Sequence, residues 1–375
     1  MIKNLPQDWK IETIGEVCSK ASSNISQNQL KDDDGVYPIY GASGFIKNVS
    51  FYHRDKDYIA IVKDGAGIGR TTRLKAYSSV IGTLQYIIPN EDIDVNFLYY
   101  FLNSVDLTKY QSGSTIPHIY FKDYSRELIS IPPLPQQEKI VSVLDTASAL
   151  VEKQKALLKT YDLFLKSKFI EMFGDPVKNP MGWEFTSLKS FGKIITGNTP
   201  SRQIDEYYDD DFIEWVKTDN IKSENMYVGQ ASEYLSESGM KKARTLESGA
   251  LLITCIAGSL KSIGTSCLTN RKISFNQQIN AIQPYKDIHP YFLYVMFKVS
   301  KAYIQTFATA SMKKIITKGE FETIELIKPP YALQKQFAQI AEQTEILKQI
   351  EQQKLEKLQT LYDALMQRAF VGEIK

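Results

Sequence analysis

Residues 132–173, PPLPQQEKIVSVLDTASALVEKQKALLKTYDLFLKSKFIEMF, open with prolines that cannot sit inside a helix. They continue with Ile140, Val143, Ala147, Leu150, Gln154, Leu157, Tyr161, Phe164 and Lys168 at alternating steps of three and four, a heptad seam. A second row, Leu144, Val151, Leu158 and Leu165, recurs every seven residues beside it and widens the apolar stripe beyond what a solvated helix leaves exposed. Such a helix needs a partner.

The same pattern returns from Lys328, as KPPYALQKQFAQIAEQTEILKQIEQQKLEKLQTLYDALMQRAF. Pro329 and Pro330 match Pro132 and Pro133, Gln334 matches Gln137, Ile340 matches Val143 and Leu347 matches Leu150. Further on the register moves by four residues, so that Phe370 matches Phe169; one extra helical turn keeps the apolar face in place. The segments before each helix are copied as well. LPQDWKIETIGEV is echoed by NPMGWEFTSLKSFGKI, with Trp9 and Trp183 each three residues after a proline. The chain reads as an internal duplication, ordered domain, long helix, domain, long helix.

Within the first domain, residues 37–44, 57–62 and 79–88 read as strands rich in β-branched and aromatic residues, and 96–104 as a short buried helix. The second domain gives the same order at 213–221, 249–258, 276–284 and 290–300. No run approaches the roughly eighteen apolar residues of a membrane span, and MIKNLPQDWK lacks a signal peptide's apolar core, so a cytoplasmic protein without membrane contact is expected. Cys18, Cys255 and Cys267, with His53, His118 and His289, show no metal-ligand spacing; buried thiols and no metal are expected.

Net charge is only +2, but its distribution is uneven. Each helical repeat balances, six basic against six acidic residues in 132–175 and again in 329–375. Residues 241–318 instead carry twelve Lys and Arg against Glu247 and Asp287, and residues 47–75 carry seven against three. This fits either a basic face meeting a polyanion or a solvated surface whose charges interleave on folding.

Two stretches imitate enzyme motifs. VKDGAGIG (residues 62–69) looks like a cofactor-cradling glycine turn, yet a basic, β-branched run without acids follows it, and the equivalent ITCIAGSLKSIGTS lacks the glycine spacing. A strand-to-strand loop that lets backbone approach a phosphate is the better reading. KPPY (328–331) imitates the tetrapeptide with which adenine methyltransferases accept a hydrogen bond from the target amine, but Lys328 has only donors. No nucleophile elbow, zinc-protease motif or P-loop occurs, and neither cofactor nor catalytic residue is expected.

Taken together, the P-x-x-W openings, the phrases IPPLPQQEKI and PPYALQKQF, and the closings KSKFIEMFGD and RAFVGEI resemble the specificity subunit of Type I restriction-modification systems. The resemblance covers nearly the whole chain. It implies an α+β architecture with internal pseudo-twofold duplication. Target-recognition domains at 1–131 and 176–328 would be separated by long helices at 132–175 and 329–375, packed as an antiparallel coiled coil. It also implies partners: double-stranded DNA read as a bipartite asymmetric target, two docked methyltransferase subunits, and restriction (translocase and endonuclease) subunits, with no chemistry in the chain itself. A helix from Gln136 to Phe173 would measure about 57 Å, enough to set reading modules about 34 Å apart.

The expected DNA-contacting side chains are Lys63, Arg70, Thr71, Arg73, Ser112, Ser114 and His118 in the first domain. In the second they are Lys217, Asn220, Lys261, Arg271, Asn276, Gln277, Lys313 and Lys314. The helix pair is expected to pack Ile140, Leu144, Leu150, Leu157 and Phe164 against Phe337, Ile340, Leu347, Leu358 and Leu361. Two other readings stand beside this one: an autonomous S-adenosylmethionine-dependent DNA methyltransferase, and a coiled-coil scaffold without a DNA role.

Overall fold

The computed structural model describes residues 5–113 and 115–374. Its contacts divide the chain into two units, Met1–Gln154 with Lys354–Lys375, and Lys155–Gln353.

In the first unit, strands β1 (Cys18–Ser22), β2 (Tyr37–Gly41), β3 (Gly44–Val49), β4 (Tyr58–Val62), β5 (Thr71–Leu74), β6 (Ser79–Val80) and β7 (Leu84–Pro89) form two sheets. The larger is antiparallel in the order β1-β7-β4-β5, and all five residues of its inner strand β4 are buried, which is why they read as an unbroken apolar run. The smaller has the order β3-β2-β6, with β2 and β6 parallel. Helix α1 (Val95–Ser104) starts at Asp94, whose carboxylate accepts from the N–H groups of Asn96 and Phe97 at 2.8 and 2.9 Å. Its Phe97 and Phe101 join Ile59, Ile61, Ile140, Leu144, Met366 and Phe370 in one core. Residues 10–13 pair with 128–131, and that ladder leads into the 40-residue helix α2 (Leu134–Phe173).

The second unit holds β8 (Gly192–Thr196), β9 (Ile213–Val216), β10 (Tyr234–Leu235), β11 (Thr245–Leu246), β12 (Leu251–Thr254), β13 (Ile256–Ala257), β14 (Ser266–Leu268), β15 (Ile273–Phe275), β16 (Ile279–Pro284) and β17 (Lys314–Ile315). Its antiparallel sheet has the order β8-β16-β12-β14, and its mixed sheet the order β10-β9-β15-β11 with β9 and β15 parallel. Each four-stranded antiparallel sheet thus places its strands in the same sequence relation. Helix α3 (Pro290–Val299) follows, with Pro290 in its first turn, and residues 185–187 pair with 325–327 before the 39-residue helix α4 (Tyr331–Ala369).

The matched glutamines do the same work in both units. Gln137 is fully buried; its amide donates to Asp92 O and Pro132 O at 3.0 and 2.9 Å, and its oxygen accepts from Asp94 N at 2.8 Å. Buried Gln334 donates to Asp287 O and Pro329 O at 3.4 and 2.8 Å and accepts from His289 N at 3.0 Å. Each satisfies backbone groups at the entrance of the short helix and ties it to the long one. The helix exits also match. Gly174 and Gly372 have φ of +74° and +78°, and a Cβ on them would lie 2.7 Å from Pro180 and 2.5 Å from Pro6, the prolines preceding Trp183 and Trp9.

In the second unit Asp162 meets Lys348 at 2.8 Å while Phe169 and Phe337 rings lie 5.5 Å apart, so the two long-helix segments there run in opposite directions. The buried line differs from the expected one. Ile140, Leu144 and Phe337 are fully buried and Ile340 and Leu358 partly so, but Leu150, Leu157, Phe164, Leu347 and Leu361 stay 46, 39, 44, 48 and 53% exposed. Burial follows the second row, Leu144, Val151 and Leu165, and then Phe169 and Phe173. The physical reason is that the globular domains compete for the stripe: Leu144 shares a core with Phe97, and Leu165 with Phe292. Among the described residues, no helix is long and apolar enough to cross a membrane.

Candidate nucleic-acid interface

The loop after β4 is closed by Gly69 N–H donating to Val62 O and Val62 N–H to Arg70 O, each at 2.9 Å, so it is a tight strand-to-strand turn. Gly65, Gly67 and Gly69 take φ of +90°, +109° and +81°, and a Cβ on Gly67 would lie 2.5 Å from the Arg70 guanidinium. The second loop singled out by sequence zips onto this one. Gly65 N–H donates to Pro117 O at 2.9 Å, Ile119 N–H to Lys63 O at 3.0 Å, and Ser112 and His118 exchange two backbone hydrogen bonds of 2.8 Å. The Asp64 carboxylate sits between them, accepting from Lys63 Nζ at 2.5 Å and from His118 Nδ1 at 2.7 Å. Burial pushes the Asp64 carboxyl up, but hydrogen bonds and charge from Lys63 and His118 outweigh it and hold the group below its usual range. Asp64 was missed as a site residue; its signal is the acid lying between Lys63 and the glycines. Ser114 lies outside the described residues.

Arg70 is exposed and meets no carboxylate among the described residues, which leaves its guanidinium able to meet a phosphate or a guanine edge. Thr71 is buried with its hydroxyl unpaired. The Arg73 guanidinium donates to Asp145 and Asn96 at 3.0 and 3.1 Å and stacks over Tyr99 and Tyr100 at 4.6 and 5.2 Å, which anchors β5 to the long helix.

In the second unit the short β13–β17 ladder sets the turn bearing Lys261 beside the loop bearing Lys313 and Lys314, with Ala257 opposite Lys314. Lys261 and Lys313 are exposed and meet no carboxylate among the described residues, and Lys314 Nζ donates to Ala310 O at 3.1 Å. Next to this ladder lies a cavity of about 350 Å³ lined by Thr218, Asp219, Thr254, Ser262, Thr265 and Gln278, a set rich in hydrogen-bonding groups.

Four other choices are held by partners within the same unit. Arg271 makes a bidentate pair with Glu214 at 2.7 and 2.6 Å and donates to Gly229 O at 3.2 Å, tying β9 to the turn before β15. Lys217 pairs with Glu233 and lies 5.2 Å over Trp215. Asn220 accepts from Lys217 N at 2.9 Å and donates to Gln230 O at 3.1 Å, closing its own turn. Buried Asn276 closes another by bonding twice to Gln278. The two cations looked available because their carboxylate partners lie 57 and 16 positions away in the chain, whereas the two amides close turns with near neighbours. Gln277 is exposed and accepts from the Thr199 hydroxyl.

Burial pushes the thiols of Cys18, Cys255 and Cys267 up to about 12, which keeps them protonated and unreactive at neutral pH. Among the described residues no cluster of His, Cys, Asp and Glu could hold a metal ion.

Two α+β units with the same order of strands in their antiparallel sheets, each tied to a long helix, define a chain built from two repeats. The chain belongs to the family of the Type I restriction modification DNA specificity domain, whose profile matches residues 6–160 and again 180–360. It is 23% identical to the HindI specificity subunit of Haemophilus influenzae, over 98% of this chain and all of that one. It is also 23% identical to the MjaIX specificity subunit of Methanocaldococcus jannaschii, over all of this chain and 95% of that one. Among solved structures, the S subunit of a Type I restriction-modification system from M. genitalium shares the fold, with a TM-score of 0.61, 14% identity and 98% of both chains covered.

Proposed function

We propose that this chain is the DNA sequence-recognition subunit of a Type I restriction-modification complex and does no chemistry itself. Residues 1–131 and 176–328 each read one half of a bipartite, asymmetric target in double-stranded DNA. The helices at 132–175 and 329–375 form an antiparallel coiled coil that sets the gap between the halves and docks two methyltransferase subunits, with restriction subunits completing the assembly. The observation that carries the reading is the same sheet order in both units, each holding out a loop with an exposed cation that meets no carboxylate among the described residues, Arg70 in one and Lys261 in the other. The half-exposed row Leu150, Leu157 and Phe164 on α2 supports helix docking, since a side chain of that size gains from being covered.

Co-expression with the cognate methyltransferase subunit, followed by single-molecule mapping of methylated adenines, tests it. A two-part motif with a fixed gap is expected. Methyl transfer by the purified chain alone would overturn the proposal.

A further inference from the structure

We propose that a cavity of about 260 Å³ in the second unit, walled by Lys166 of α2, Lys298 of α3, Lys301, Thr265 and Ser266, is a binding site for a phosphate group. The wall also includes two carboxylates, Asp162 and Glu224. Asp162 is shared between Lys298 at 3.5 Å and Lys348 at 2.8 Å, so one negative charge serves two ammonium groups. Cations outnumber acids here, and they crowd one another. Burial pushes the Lys298 and Lys301 ammoniums below the ordinary lysine value. Lys348 and Lys166 act in the same sense on Lys298, as Lys261 and Lys166 do on Lys301, while Asp162 opposes the shift only at Lys298. A dianion between them would relieve that repulsion.

The hydroxyls supply the second observation. Ser266 is 4% exposed, and its Oγ has no hydrogen-bond partner although it lines the cavity. A buried hydroxyl left unpaired is disfavoured, and rotation of the Ser266 side chain toward the cavity would let its Oγ meet a ligand oxygen. Thr265 Oγ1 accepts from Lys301 Nζ at 2.8 Å, leaving its own hydrogen to donate. Two or three ammoniums with two hydroxyls match a tetrahedral oxyanion, and the source is either a free phosphate species or a backbone phosphate of nucleic acid. The site does not depend on the DNA-reading proposal.

The test is calorimetric titration of the full chain with inorganic phosphate at constant ionic strength, in parallel with K166Q/K301Q, S266A and the charge-retaining K166R/K301R. Saturable binding by the wild type is expected. It should weaken at least tenfold in K166Q/K301Q and severalfold in S266A, and largely return in K166R/K301R. A phosphate-dependent rise in melting temperature, present in the wild type and absent from K166Q/K301Q, guards against a variant that is merely misfolded. Titration of a duplex separates the sources. If backbone phosphate occupies the site, K166Q/K301Q binds every duplex about equally more weakly, and its salt dependence falls by roughly one phosphate; if a free phosphate does, duplex affinity is unchanged while phosphate binding is lost. No saturable phosphate binding by the wild type, or equal binding by wild type and K166Q/K301Q, overturns the site.

Discussion

Arg271 and Arg70 have the same side chain, yet one is a clamp and the other meets no carboxylate among the described residues. The difference is Glu214, 57 residues away in the chain, which accepts from Nε and Nη2 of the Arg271 guanidinium. Arg271→Ala is therefore expected to lower the melting temperature of the chain, at a cost of about 1–3 kcal/mol, because it leaves a largely buried carboxylate with the Ala231 N–H as its remaining donor. Arg70→Ala should leave the melting temperature unchanged and weaken duplex binding by the amount of a lost cation contact. The Arg271 hydrogen bonds hold the Glu214 carboxyl below its usual value against burial, with the Ala231 N–H helping. A depressed carboxyl stabilises the fold above its unfolded pKa, and that contribution is lost as pH falls through the folded value. Acid unfolding monitored by circular dichroism should therefore be less steep below about pH 4.3 in Glu214→Gln, a variant that starts from lower stability at neutral pH.

At the scale of elements, each long helix carries two apolar rows with different fates. Leu144 is fully buried against Phe97 and its neighbours, and Leu144→Ala should destabilise the chain by about 2–5 kcal/mol. Leu157 is 39% exposed, so Leu157→Ala should cost under about 1 kcal/mol in the chain alone. If that row docks a methyltransferase subunit, Leu157→Asp will instead show its effect as loss of co-purification with that subunit. Both rows were legible as heptad spacing. Which row is buried was not, because spacing reports periodicity while burial is decided by what packs against each face. The matched pair Gln137 and Gln334 is more telling, since a polar residue repeated at the start of an apolar helix had no explanation from pattern alone. Its amide closes backbone groups that sequence does not place.

For the molecule as a whole, the contact division assigns residues 354–375 to the unit formed by residues 1–154. Phe370 packs edge-on against Phe97 and Phe101 at 5.4 and 5.3 Å, and Met366 and Ala369 are buried in the same core. A fragment of residues 1–154 is expected to melt early and be cut rapidly by protease, and a tethered 354–375 segment should restore both properties. Sequence alone determined the repeat, the long helices, three of the strand regions and the short helix in each domain, and the family, because periodic spacing and shared phrases are local or copied signals. It also named the two loops that zip together around Asp64. Only the tertiary structure decided which cations are free: Arg73, Lys217 and Arg271 are held by Asp145, Glu233 and Glu214, partners 72, 16 and 57 positions away. Charge composition counts groups, whereas availability depends on the carboxylates that folding brings beside them.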